Sequence, residues 1–375
     1  MNLLRWFCSL GSLITVIIAL FTSCSPTILT TEGDCIPDQL VHHVAFSKHL
    51  PKKNTYSPSP NGRWLAVIDH SHHRIELWDV HKGKKVSSFE SQNFFGHLLF
   101  HPDSTHLFTI TGKKSSKKVT LDLWDFSGKN IRAVDLQMQY IFGVANSRLG
   151  NKIAMTDGSV ISVRDLVSQA RPQRILIPSD TIGGSNSANF IKVSPKGRYV
   201  STRAEQSAPT IWDLRTSSPQ KWFSMPEDHS LPQRRAVLFG PEERFVYTSS
   251  TKHKVEVWNL EKKSRQQTIP HDSVVAMNYG KSPRILLLGK EDGSIAFWDL
   301  LLQKTIKILP AGWKETEQAC QNKSDCLSAK CVNNRCLKRA DELGHSSPIE
   351  YLIWNAKQKT LLSVTAKNFR LWRCR

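Results

Sequence analysis

The stretch EDGSIAFWDL, residues 291–300, decides the fold. Asp292-Gly293 reads as a tight turn, Ile295 and Phe297 as alternating positions of a short strand, and Trp298-Asp299-Leu300 as its end. Close copies end at Trp78-Asp79-Val80, Trp124-Asp125-Phe126, Trp212-Asp213-Leu214 and Trp258-Asn259-Leu260. Degenerate copies end at Arg164-Asp165-Leu166 and Trp372-Arg373. Successive endings lie 40 to 48 residues apart, except for a last interval of 74. Upstream of the endings stand SPNGRWLAV (59–67), HPDSTHLF (101–108), SPKGRYVS (194–201), GPEERFVYT (240–248) and GKSPRILLL (280–288). In each of these, Pro, Gly and charged residues make a turn and an apolar strand follows.

A period of this length with four short strands per unit predicts an all-β, seven-bladed β-propeller. The endings and turns resemble the WD-repeat β-propeller family over roughly residues 39–312 and 343–373. That resemblance implies a hydrogen-bonded set of His, hydroxyl, Trp and turn Asp in each blade. Blade six has His271, Trp298 and Asp292 but Leu288 at the hydroxyl position. Blade seven has Gly344-His345, Ser363 and Trp372 but Ala366 at the Asp position, and blade three has Arg164 for Trp. No blade is expected to hold the whole set.

The resemblance also implies how the ring closes. The last blade supplies three strands over residues 349–372, and the strand-like stretch near 39–49 (Leu40, Val41, Val44, Ala45, Phe46) is expected to add the fourth. Closure removes the sheet edges that invite aggregation. It also draws Cys35 and Cys374 towards one blade, so a Cys35–Cys374 disulfide locking the ring is expected.

Residues 1–24 have one early cation, Arg5, an apolar run through Phe21 that is short for a spanning helix, and small residues before Cys24. This is the layout of an export signal, with an ordinary cleaved signal and an uncleaved anchor as the alternatives to lipidation. Leu20-Phe21-Thr22-Ser23-Cys24 resembles a bacterial lipoprotein box. It implies lipidation at Cys24, with palmitate among the acyl groups, and anchorage at the cell envelope on the periplasmic or outer-membrane side. The domains then run as signal 1–24, tether 25–38 and propeller 39–375, with a Cys-rich insertion at 313–342.

The insertion spaces Cys320, Cys326, Cys331 and Cys336 as Cys-x5-Cys-x4-Cys-x4-Cys. Zinc sites favour closer pairs in a reducing compartment, so two disulfides are expected, with all three pairings open.

No enzyme motif is present, and no residue is assigned to catalysis, a cofactor or a metal. The run Asp69-His70-Ser71-His72-His73 reads as a polar turn rather than a metal site. The net charge of +19 favours anionic partners such as acidic lipid or glycan, while nucleic acid is not the expected partner. Basic groups such as Lys113-Lys114, Lys117-Lys118 and Lys252-His253-Lys254 on one face are matched by His81–Lys85 and Glu261-Lys262-Lys263 on the other, so charge selects neither face. The leading expectation is a non-catalytic scaffold for protein partners. The alternatives are a channel-type enzyme or ligand binder, built from titratable groups of several blades, and a binder of anionic lipid or glycan.

Overall fold

Middle strands such as Trp64–Asp69 and Ile285–Lys290 are nearly continuous apolar runs because both of their faces are covered. Leu65 and Val67 pack with Phe369 and Leu371 of the last blade. Ala66 and Ile68, pointing the other way, pack with Leu98 and Phe100 of the next blade. Clusters of the same kind fill the seams between blades two and three, three and four, four and five, and five and six. Each fully buried Leu or Ile in these seams contributes about 1.5–3 kcal/mol.

The computed structural model describes residues 39–45 and 56–373, apart from 71, 91–93, 113–118, 139, 168–170, 178–189, 204–208, 217–219, 226–235, 251–253, 312, 320–330, 333–334, 340–344, 346 and 367. All of these lie in one unit, Pro37–Arg375. It is a seven-bladed β-propeller of four-stranded antiparallel sheets. Blade one is Tyr56–Pro58, Trp64–Asp69, Arg74–Asp79 and Lys84–Glu90, and blade six, which carries the opening stretch, is Val274–Tyr279, Ile285–Lys290, Ile295–Asp299 and Lys304–Leu309. Among the described residues no helix is long and apolar enough to cross a membrane.

The seventh sheet closes the ring as expected. Its inner three strands are Tyr351–Asn355, Thr360–Val364 and Asn368–Arg373, and its outer strand is Gln39–Ala45. The pairing is antiparallel, from Gln39 opposite Arg373 to Ala45 opposite Asn368, with an irregularity between Leu40 and His42. The sixth and seventh blades meet at a glycine: a Cβ on Gly289 would lie 2.6 Å from Ile349 Cγ2. Gly293 of the opening stretch has φ +95°, and a Cβ there would come within 2.1 Å of His345 O. Only glycine fits that turn.

The insertion forms a sheet of its own. Trp313–Ala319 pairs with Arg335–Arg339, which pairs with Cys331–Val332. Cys331 stands opposite Cys336 in backbone register. Cys24, Cys35, Cys320, Cys326 and Cys374 lie outside the described residues.

Candidate partner-binding surface

The Trp-Asp dipeptide does two jobs. Its Trp turns to the preceding blade: Trp124 stacks on Phe89 at 5.5 Å, Trp258 lies 6.3 Å from Phe223, and Trp78 meets Phe369 edge-on at 6.3 Å. The indole N–H then needs an acceptor. Trp124 donates to Thr109, Trp212 to Thr202 and Trp372 to Ser363, each at 2.8 Å. All three hydroxyls stand two residues beyond the Trp's partner on the second strand. Blades one and six have Val67 and Leu288 there, and the indole nitrogens of Trp78 and Trp298 are buried without a hydrogen bond. Leu288 therefore has the consequence expected of it.

Blade seven comes nearest to the full set, with an Asn in place of the Asp. His345 Nε2 meets Ser363 Oγ at 2.7 Å, and His345 Nδ1 meets Asn368 Oδ1 at 2.6 Å. Ala366 does stand where the family's Asp would, but Asn368, at the start of the next strand, supplies the oxygen instead. His271 of blade six goes elsewhere: its Nε2 meets Thr305 Oγ1 at 2.8 Å, and its ring stands edge-on to Trp298. Arg164 of blade three reaches back to Asp135 O at 3.5 Å.

The Asp caps the turn that follows it. Asp299 Oδ1 accepts the N–H groups of Leu301 (2.8 Å) and Leu302 (2.9 Å), and Asp79 Oδ1 those of His81 and Lys82. Asn259 caps equally well, because the turn needs an oxygen and not a charge. The charge serves a second contact: Asp299 pairs with Arg284 at 2.6 Å, and Asp79 with Arg63 at 3.6 Å. Burial opposes ionisation of Asp299, but the Arg284 guanidinium and the two backbone donors hold its carboxyl below the usual range.

These turns and those between first and second strands share one face, and hydrogen bonds stitch them across blade boundaries. Asn61 N–H donates to Ser104 Oγ at 3.2 Å, Leu149 N–H to Pro195 O at 2.8 Å, and Lys196 N–H to Glu243 Oε1 at 2.6 Å. Arg148 reaches past blade two to Pro60 O at 3.2 Å. Nothing in the sequence marked Glu243 or Arg148 for such a role, since each bridges turns distant in the chain. The result is a firm rim that displays apolar side chains at Leu149 (69% exposed), Val167 (72%) and Leu301 (71%). A cleft of about 400 Å³ lies on it between blades three, four and five, lined by Lys152, Lys196, Arg198, Arg215, Glu242 and Glu243.

Some of the surface cations are paired with carboxylates among the described residues. Lys196 pairs with Glu242 at 2.7 Å, Arg215 with Asp213, Arg265 with Glu256 at 3.0 Å and Lys290 with Asp272 at 2.8 Å. In the Asp69–His73 turn, Asp69 is held by Arg74 at 3.0 Å and by His72 at 2.7 Å. Lys113, Lys114, Lys117, Lys118, Lys252 and His253 lie outside the described residues.

The inner strands bring equivalent residues to one level of the ring, two places before each turn. They are Ser57, Leu99, Ala145, Lys192, Leu238, Asn278 and Ile353. Lys192 alone of these is ionisable; crowding by protein pushes its ammonium down although water reaches it. His97 is a half-buried histidine facing Ile141 O at 3.0 Å, and its partial burial pushes its imidazole down too. At the seam of blades one and seven, burial raises the Glu350 carboxyl, while its hydrogen bond with Tyr56 pulls the other way. Among the described residues these titratable groups lie on separate blades and do not converge on one point.

No established family profile matches the chain. It is 24% identical over 155 residues to THO complex subunit 3 of Arabidopsis thaliana, covering 40% of this chain and 46% of that protein. It is 23% identical over 130 residues to the target of rapamycin complex subunit wat1 of Schizosaccharomyces pombe, covering 34% and 40%. A WD repeat-containing protein of Deinococcus radiodurans is 44% identical over 52 residues, covering 13% and 19%. The chain thus spans less than half the length of each of these relatives. Among solved structures, a chain of a mitotic checkpoint complex superposes with TM-score 0.62 at 13% identity, covering 91% of this chain and 92% of that one, which is a likeness of fold. The chain is a seven-bladed propeller with Trp-Asp endings and hydroxyl acceptors in several of its blades, and a short part of it is similar to a WD repeat-containing protein.

Proposed function

We propose that this protein is a non-catalytic scaffold, exported and held at the bacterial cell envelope by a lipid on Cys24, that docks protein partners through its turn-bearing rim and the 313–342 insertion. The observation that carries this reading is the stitched rim. Turns bonded to one another from blade to blade present a surface that needs little ordering when a partner binds, so less of the contact energy is lost to entropy. Apolar side chains exposed on that rim supply contact area. The insertion adds a sheet separate from every blade, and additions of this kind often carry recognition. Two of the relatives are named as subunits of complexes, which agrees with a role in assembly.

Two arms test the reading. Metabolic labelling with a palmitate analogue should mark the wild-type chain in the membrane fraction, and Cys24→Ala should lose both label and membrane association. Partner recovery after in-cell cross-linking should fall when residues 313–342 are deleted. An unlabelled wild-type chain, or turnover of a small substrate without any cross-linked protein, would contradict the reading.

A further inference from the structure

The turns between first and second strands are built alike, and blade two departs from the pattern. In each, the first residue's N–H bonds to the carbonyl five places on: Ser59 to Trp64, Ser194 to Tyr199, Gly240 to Phe245, and His101 to His106, the last at 2.9 Å. In blades one, three and four the first residue is serine, whose hydroxyl accepts the N–H of the residue five places on. That later residue is a large packing side chain in most blades: Trp64, Tyr199, Phe245 and Ile285. Blade two has histidine at both places and Asp103 between them, a choice the turn itself does not require.

The three side chains are fixed around a shared point. Asp103 Oδ1 accepts the backbone N–H groups of Thr105 (2.7 Å) and His106 (3.2 Å), which orients the carboxylate. Its Oδ2 then lies 3.0 Å from His101 Nδ1 and 2.7 Å from His106 Nδ1. His101 Nδ1 accepts the N–H of Asp103 at 3.2 Å, so it presents a lone pair and not a proton. In that tautomer the lone pair and the carboxylate oxygen are both acceptors, and a cation between them, a proton or a metal ion, makes the approach favourable. The three donor atoms lie within 4.8 Å of one another.

We propose that His101, Asp103 and His106 form a binding site for one borderline divalent cation of the Zn²⁺ class, with at least one coordination position left to water or to a partner's side chain. Two imidazoles and a carboxylate suit such an ion, whereas Ca²⁺ and Mg²⁺ prefer oxygen sets. Ligands at about 2.0–2.2 Å in a tetrahedron stand about 3.3–3.5 Å apart, so each imidazole need move from the Asp103 oxygen by only about half an ångström. The ion would displace the Asp103 N–H contact to His101, which at 3.2 Å is a long one. The Asp69–His73 turn, with a similar composition, offers a contrast because Arg74 already occupies Asp69.

Calorimetric titration of the purified, oxidised full chain with Zn²⁺ tests this. The expected result is one ion per chain with micromolar or tighter affinity, and a Zn²⁺-dependent rise in Tm. His101→Ala and His106→Ala should each weaken binding at least tenfold. Asp103→Asn, which keeps the oxygen that caps the turn, should also weaken binding while melting cooperatively without metal. His72→Ala/His73→Ala should bind as wild type. No Zn²⁺ binding by the wild type, or binding that survives in a His101→Ala/His106→Ala double variant, overturns the proposal.

Discussion

Trp372 donates its indole N–H to Ser363 Oγ at 2.8 Å, and the same hydroxyl meets His345 Nε2 at 2.7 Å. One small side chain thus joins the third strand of the last blade to the segment that leads into it. Both partners are buried, Trp372 at 4% exposure and His345 at 0%. Ser363→Ala strips the acceptor from a buried donor and is expected to cost about 1–3 kcal/mol, read as a lower midpoint in urea unfolding. A midpoint unchanged from wild type would show that this chain of bonds does not hold the blade.

The converse change is available in blade one. Val67 occupies the place that Thr109 and Thr202 hold in their blades, and the Trp78 nitrogen is buried without an acceptor. Val67→Thr is therefore expected to be no less stable than wild type. Val246→Thr, which puts a hydroxyl into a fully buried seam position, should lose about 1–3 kcal/mol. Equal losses at the two positions would contradict the assignment of the acceptor position.

The motif carboxylates predict an acid-labile ring. Burial raises the pKa of Asp213 and Asp299, but Arg215 and Arg284 with backbone donors outweigh it, so both titrate below the ordinary range. A carboxyl with a depressed folded-state pKa adds stability above its unfolded pKa. That stability is lost as pH falls through the folded value. Tm should therefore drop between about pH 5 and about pH 3. Asp299→Asn keeps the turn cap, as Asn259 does, and should flatten that slope; a slope identical to wild type would remove Asp299 from the account.

Backbone register narrows the pairing of the insertion's cysteines. Cys331 and Cys336 are directly opposed, and opposed antiparallel residues stand about 4.5–5.5 Å apart at Cα, within disulfide reach. Mass spectrometry of a non-reduced digest should show Cys331 linked to Cys336, leaving Cys320 with Cys326. A peptide linking Cys331 to Cys320 or Cys326 would contradict the register.

The architecture was readable because the Trp-Asp endings carry their own period, and even the borrowed outer strand at 39–45 announced itself as a strand without an ending. The bonds inside the blades were less readable. Asn368 replaces the missing Asp from two positions beyond Ala366, and only folded geometry brings its oxygen to His345. The rim contacts were hidden for a related reason. Arg148 and Pro60 are far apart in sequence and meet only because the ring curves past blade two. His101 and His106 were visible within HPDSTHLF, but their meaning depends on the serine and aromatic residues at the same places in other blades.

The claim that rim and insertion do the recognising is tested most directly by photo-cross-linking in living cells. A photoreactive residue placed at Leu149 or Leu301 on the rim, or at Asn334 in the insertion, is compared with one at Ile131, an exposed outer-strand position. The account predicts discrete protein adducts in the membrane fraction from the rim or insertion positions and none from Ile131. Equal adducts from Ile131, or none from any rim or insertion position, would contradict it.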